Sequence, residues 1–158
     1  MNCRTRKPNR LKDYDYSQNG AYFITVCVKN RKPILSYIPV GANCVRPSKI
    51  GNVVENEIKK ISKIYENVTV DNYVIMPNHI HLLIRIDTYG GRTQFAPTIY
   101  RIIKQFKGSI TKRLGVSIWQ KGFYDHVIRD EHDFQIKWQY IADNPLRWQE
   151  DYLFHNGK

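Results

Sequence analysis

The sequence predicts an α+β fold in which one antiparallel sheet carries helices on one face. Two observations predict it. Short apolar or alternating runs are interleaved with longer runs whose apolar residues recur every three to four positions, the strand and helix periods. Residues of the turn-forming kinds, Gly, Pro and Asn, fall between these runs. With 158 residues, 42% of them hydrophobic and 13% aromatic, the chain reads as a single domain able to bury an ordinary core.

Residues 1 to 19 are basic and polar, with Arg4, Arg6, Lys7, Arg10 and Lys12 ahead of Asp13 and Tyr14. They read as an irregular arm, for which a phosphate contact and a plain solvated tail are both adequate accounts. Ala21 to Val28 is apolar and β-branched on both faces, the pattern of a buried central strand. Pro33, Pro39, Gly41 and Pro47 then mark a long excursion with room for a short hairpin. Ser48 is placed to cap a helix carrying Val54, Ile58, Ile61 and Tyr65, running to about Glu66.

Val68 to Met76 is a second strand and His79 to Ile86 a third, antiparallel to it across Pro77-Asn78. Thr88 to Pro97, with Gly90-Gly91, reads as a flexible loop. Thr98 caps a second helix with Ile99, Ile102, Phe106, Ile110 and Leu114 as its apolar stripe. Arg101, Lys104 and Lys112 fall on the other side of that helix, as a phosphate-binding stripe or simply a solvated face. Trp119 to Arg129 ends in a fourth strand, and Asp130 or a neighbour caps a last helix to about Asp143, closed by Asn144-Pro145. On it Phe134, Trp138 and Ile141 are expected to form the core stripe. Two strand–helix–strand units sharing one antiparallel sheet make the ferredoxin-like arrangement.

From His79 onward the third strand alternates. Ile80, Leu82, Ile84 and Ile86 share one face, and His79, His81, Leu83 and Arg85 share the other. Two imidazoles two residues apart on a strand project in parallel, the spacing at which a pair can share one metal ion. The plainer alternative is a histidine pair on a half-polar sheet face. That face is expected to stay open unless the last helix covers it. On the last helix Tyr140 and Asn144, four apart, stack on a flank beside the core stripe. The first supplies a potential nucleophile and the second an amide oxygen suited to Mg²⁺ or Mn²⁺. Taken singly, Tyr140 reads equally as a packing residue and Asn144 as a helix stop.

A net charge of +11 gives a strong positive field, whose usual partner is a polyanion such as nucleic acid. No long apolar span or signal core is present, so no membrane partner is expected. Cys3, Cys27 and Cys44 form no Cys-x-x-Cys pair. This argues against a disulfide scaffold or zinc ribbon and fits a cytoplasmic location.

Met76-Pro-Asn-His-Ile-His-Leu-Leu, Phe123-Tyr-Asp-His-Val-Ile-Arg-Asp and Tyr140-Ile-Ala-Asp-Asn-Pro145, in that order, resemble the HUH single-tyrosine transposases. The nearest pattern is that of the tyrosine transposases associated with repetitive extragenic palindromes (REP). The similarity runs from about Asp13 to Trp148. It implies a ferredoxin-like catalytic domain with His79 and His81 as metal ligands, Tyr140 as nucleophile and Asn144 in the place of the third, helix-borne ligand. In the related insertion-sequence enzymes that place usually holds Gln, so Asn144 is a departure with a shorter reach. The implied activity is cleavage and rejoining of single-stranded DNA through a 5′-phosphotyrosine, with hairpins as recognition elements. The implied DNA grip comes from the basic arm and from Arg101, Lys104 and Lys112. A homodimer in which the tyrosine helix serves the partner subunit, and a helix serving its own chain, both remain open.

Two other classes compete. A non-catalytic single-strand-binding module would stack bases on sheet aromatics, but no Lys/Arg-Gly-Phe-type motif lies on the strands. Its surviving form is a host-retained DNA-binding regulator of the same fold. A barrel metallohydrolase needs a longer chain and more ligand sets than are present.

Overall fold

A computed structural model of the chain describes residues 20–87 and 97–150. The basic arm with Arg4, Arg6, Lys7 and Arg10, and most of the expected 88–97 loop, lie outside the described residues. Six strands and three helices follow in order. They are β1 (Gly20–Cys27), β2 (Ser36–Tyr37), β3 (Arg46–Pro47), α1 (Lys49–Ile64), β4 (Val68–Ile75), β5 (His79–Ile86), α2 (Ile99–Leu114), β6 (Tyr124–Val127) and α3 (Glu131–Asp143). The main sheet runs β4-β5-β1-β6 with every pair antiparallel. Each helical crossover, β1-α1-β4 and β5-α2-β6, skips a strand, which is the ferredoxin-like topology predicted from the element order. The excursion before α1 does contain a two-stranded antiparallel ribbon, β2 with β3.

The expected caps form. Ser48 Oγ accepts from Gly51 N at 3.0 Å, Thr98 Oγ1 from Arg101 N at 3.2 Å, and Asp130 Oδ1 from Asp133 N at 2.8 Å. Each satisfies a backbone donor that the first helical turn leaves without a partner. Gly115 ends α2 in the left-handed region, where a side chain is disfavoured.

Strand alternation divides the apolar residues between two faces. Tyr22, Ile24 and Val26 of β1 join Ile80, Leu82, Ile84 and Ile86 of β5 against α1 and α2. Phe23 and Leu83 face the other way and pack with Val74, Met76 and Ile141 of α3. In β4 a bulge between Val70 and Asn72 resets the parity, so Val68, Val70 and Ile75 all reach the larger core. The last helix therefore covers the sheet face that was expected to be open or covered by it. Its core stripe differs from the expected one. Trp138 is 39% exposed, and Ile141 is the buried residue, with Phe134 partly buried beside it. At four residues from Phe134, Trp138 rotates past the line of contact that Ile141, at seven, keeps.

Gly51 marks the closest approach of α1 to the ribbon segment. A Cβ there would lie 2.0 Å from the Leu35 carbonyl oxygen and 3.1 Å from Pro47 Cβ. Gly51→Ala should therefore destabilise the fold by about 2 kcal/mol or more, although alanine gains about 1 kcal/mol in helix propensity. Urea unfolding measures it, and an unchanged or raised midpoint would contradict this close packing.

Candidate active site

The site begins with β5. His79 and His81 are 0% and 1% exposed, sealed between the sheet and α3. Their Nε2 atoms approach to 3.1 Å. The other ring nitrogens are held from outside. His79 Nδ1 donates to Asn78 Oδ1 at 2.8 Å, and His81 Nδ1 lies 2.8 Å from Thr25 Oγ1. Thr25 is the β1 residue paired in register with His81. A hydroxyl both donates and accepts, so Thr25 suits either tautomer of His81. One tautomer hydrogen-bonds the two rings; the other leaves both Nε2 lone pairs pointing into the same space.

Burial keeps both rings neutral. It pushes the His79 pKa down to about 3, with the nearby Arg31 charge adding to the effect and Asn144 opposing it. His81 is also pushed well below its ordinary value, by burial first and then by His79 and Lys137. A neutral imidazole is the form that ligates a metal. Arg31 belongs to a turn directly after β1 in which Asn30 and Arg31 both take left-handed backbone angles, φ 55° and 51°. Such strain persists only where surrounding structure enforces it.

The start of α3 is fixed by the side chain of Asp133. It accepts from His126 Nε2 of β6 at 2.8 Å and from Arg129 N at 3.1 Å. Partial burial opposes its charge, but these donors and the neighbouring cations hold its pKa below the ordinary carboxylate value. Seven and eleven residues on, α3 and its cap deliver the two sequence-predicted groups, Tyr140 and Asn144. The Tyr140 ring meets His81 edge-on at 5.3 Å and Phe23 at 5.8 Å, and the residue is 37% exposed at the helix flank. Asn144 caps α3 and is 3% exposed. Its side chain lies close enough to His79 to favour the charged ring, yet its Oδ1 is buried without a hydrogen-bond partner. Trp148 closes the far side, 5.9 Å from the His79 ring.

This donor set fits a divalent ion. Two nitrogens at about 2.1 Å from one ion, roughly at a right angle, are separated by about 3 Å. The ring nitrogens stand at 3.1 Å, their far sides are fixed as a metal ligand's usually are, and a buried carbonyl-type oxygen nearby has no other partner. Among the described residues no group of three His, Cys, Asp or Glu side chains could hold a metal. The candidate set therefore depends on the amide of Asn144.

The sequence-predicted His79, His81, Tyr140 and Asn144 thus come together. The basic stripe does not join them. Arg101, Lys104 and Lys112 are exposed on α2, which packs on the opposite face of the sheet. Sequence reasoning missed Thr25, Asn78, Phe23, Trp148 and Lys137. Thr25 carried a signal as the lone aliphatic hydroxyl in an apolar strand; the others needed the fold. Among the described residues no helix is long and apolar enough to cross a membrane.

No protein-family model matches the chain. It is 32% identical over 169 residues to an uncharacterized protein of Haemophilus influenzae, covering 94% of this chain and 93% of that one. A putative REP-associated tyrosine transposase of the same organism is 30% identical over 142 residues, covering 84% of this chain and 74% of its own length. A REP-associated tyrosine transposase of Escherichia coli is 26% identical over 133 residues, covering 84% and 70%. The solved structure of a REP-associated tyrosine transposase bound to a REP hairpin superposes with a TM-score of 0.66 at 20% identity, covering 88% of this chain and 74% of that one. A putative transposase from Deinococcus radiodurans gives 0.50 at 17% identity, covering 84% and 94%. The chain belongs to the REP-associated tyrosine transposases.

Proposed function

We propose that this protein is a metal-dependent single-stranded DNA strand transferase that cuts and rejoins DNA through a 5′-phosphotyrosine, with hairpins as its recognition elements. The observation that carries the reading is the meeting of Tyr140 with a buried, neutral histidine pair whose Nε2 atoms converge. His79, His81 and Asn144 would hold Mg²⁺ or Mn²⁺. When bound there, the ion supplies positive charge that polarises a non-bridging oxygen of the scissile phosphodiester.

The rest is done by the chain. Tyr140 sits at the rim of the site, half exposed to an incoming strand. Its phenol oxygen bonds to phosphorus and its proton passes to solvent. The P–O3′ bond breaks, and the leaving 3′-oxygen takes up a proton to become a 3′-hydroxyl. The phosphotyrosine keeps the bond energy, so a later 3′-hydroxyl rejoins the strand without ATP. Because the histidine pair is buried between the sheet and α3, this reading takes as substrate a strand that is not held in a duplex.

The test is a covalent adduct. Hairpin-bearing single-stranded DNA with Mn²⁺ should yield a protein–DNA species that survives a denaturing gel and disappears with EDTA. Tight DNA binding with no adduct under any divalent ion would favour the host-retained regulator instead.

Arg101, Lys104, Lys112 and the basic arm are proposed to hold DNA backbone. Because α2 lies across the sheet from Tyr140, its cations suit a part of the DNA remote from the cut, such as a hairpin stem. Lys104→Ala should flatten the dependence of log K on log salt by about 0.7 to 0.9 per lost phosphate contact, leaving the cleavage rate at saturating DNA unchanged. Fluorescence anisotropy across a salt series reads the slope, and an identical slope removes Lys104 from the interface.

A further inference from the structure

A cation of α3, Lys137, stands at the site without a role in the proposed reaction. Lys137 lies one turn before Tyr140 on α3 and is partly buried. Its Nζ stands 5.2 Å from the centre of the Phe23 ring. The same ring stacks on His81 at 5.0 Å and meets Tyr140 edge-on at 5.8 Å. A single aromatic platform thus gathers the ammonium, a candidate metal ligand and the candidate nucleophile.

Among the described residues Lys137 makes no direct ion pair; Asp133, four residues back, bonds His126 and the Arg129 amide and interacts with the Lys137 charge only at longer range. Toward a divalent ion on the histidines the ammonium is unfavourable, since like charges repel in a water-poor site. The Lys137 charge also opposes a charge on His81. A cation that weakens metal binding, and that makes no direct ion pair among the described residues, is suited to an anion that arrives with the substrate. The anion beside Tyr140 during attack is the phosphodiester itself.

We propose that Lys137 is a catalytic residue whose ammonium, steadied on Phe23, contacts a non-bridging oxygen of the scissile phosphate while Tyr140 attacks phosphorus; this rests on the strand-cleaving reading above. Lys137 keeps its protons throughout. The bonds made and broken are those of the Tyr140 step, and Lys137 neutralises charge that grows on the phosphoryl oxygens in the transition state.

The experiment uses the full chain with Lys137→Met, which keeps the stem on Phe23, and Lys137→Arg, which keeps the charge. Single-turnover cleavage at saturating hairpin DNA should fall about 100-fold in Lys137→Met and recover at least tenfold in Lys137→Arg. Mn²⁺ affinity, read by titration calorimetry, should be unchanged or tighter in Lys137→Met. A saturating rate within twofold of wild type would overturn the proposal, because a lysine gripping remote backbone alters affinity and not that rate. So would a loss of Mn²⁺ binding equal to the loss of rate, because Lys137 would then act through the fold of the site. A third measurement stands apart from activity. In the non-cleaving Tyr140→Phe background, Lys137→Met should reduce the salt slope of single-strand binding by about 0.7. An unchanged slope removes the phosphate contact even if the wild type proves inactive, whereas an inactive wild type with the slope reduced sinks the strand-transfer reading and leaves the contact standing.

Discussion

Tyr140→Phe should bind single-stranded DNA like the wild type and form no covalent adduct, with cleavage lower by roughly four orders of magnitude or more. The substitution removes one oxygen and keeps the ring. The edge-on contacts with His81 and Phe23 are ring contacts, so α3 should remain seated on the sheet. At a residue 37% exposed the lost hydroxyl should change stability by less than about 1 kcal/mol. Phenylalanine, however, offers phosphorus no nucleophile. Trapping the adduct with wild-type protein, digesting it and locating the nucleotide-bearing peptide by mass spectrometry identifies the residue. A modified peptide carrying Tyr124 or Tyr152, or full cleavage by Tyr140→Phe, would overturn the assignment. Of those two competitors Tyr124, on β6, lies among the described residues, and it is exposed.

His81→Ala should lose both cleavage and the response to metal, and should also weaken the fold. An imidazole on an open sheet face would be dispensable for folding, but His81 is 1% exposed and packs between Phe23, Tyr140 and the second histidine. Its removal leaves a cavity and strips Thr25 of its partner. The cost is about 2 kcal/mol, or roughly 4 to 8 °C in melting temperature for a chain of this size. The informative comparison is therefore a difference. Mn²⁺ at about 100 times its Kd should stabilise the wild type by about 2.7 kcal/mol and leave His81→Ala where EDTA leaves it. If Mn²⁺ raises the melting temperature of both proteins equally, the ion binds elsewhere and the histidine site is wrong.

Much of this molecule was written locally. Alternation along His79–Ile86 identified β5 to the residue and put both histidines on one face, because strand side chains point alternately up and down whatever the neighbours. The caps at Ser48, Thr98 and Asp130 were legible for the same reason: a cap is a contact between residues three apart. Tyr140 and Asn144 stack because a helix turns every 3.6 residues, and that needs no tertiary information.

What the sequence left undecided is what depends on partners far apart in the chain. Whether the histidine face was open or closed rested on where α3 docked. Its docking line runs through Phe134 and Ile141, leaving Trp138 exposed, since the curvature and twist of the sheet select which flank of a helix makes contact. The hydroxyl that serves His81 comes from Thr25, 56 positions away, through the β1–β5 register. The basic stripe of α2 is plain in the sequence, but only the topology reveals that it lies across the sheet from the tyrosine. The residue types and their local spacing were fixed by the chain's own periodicities. The neutral state of the histidines, and the gathering of Phe23, Lys137 and Tyr140 around them, exist only because burial and register are properties of the assembled fold.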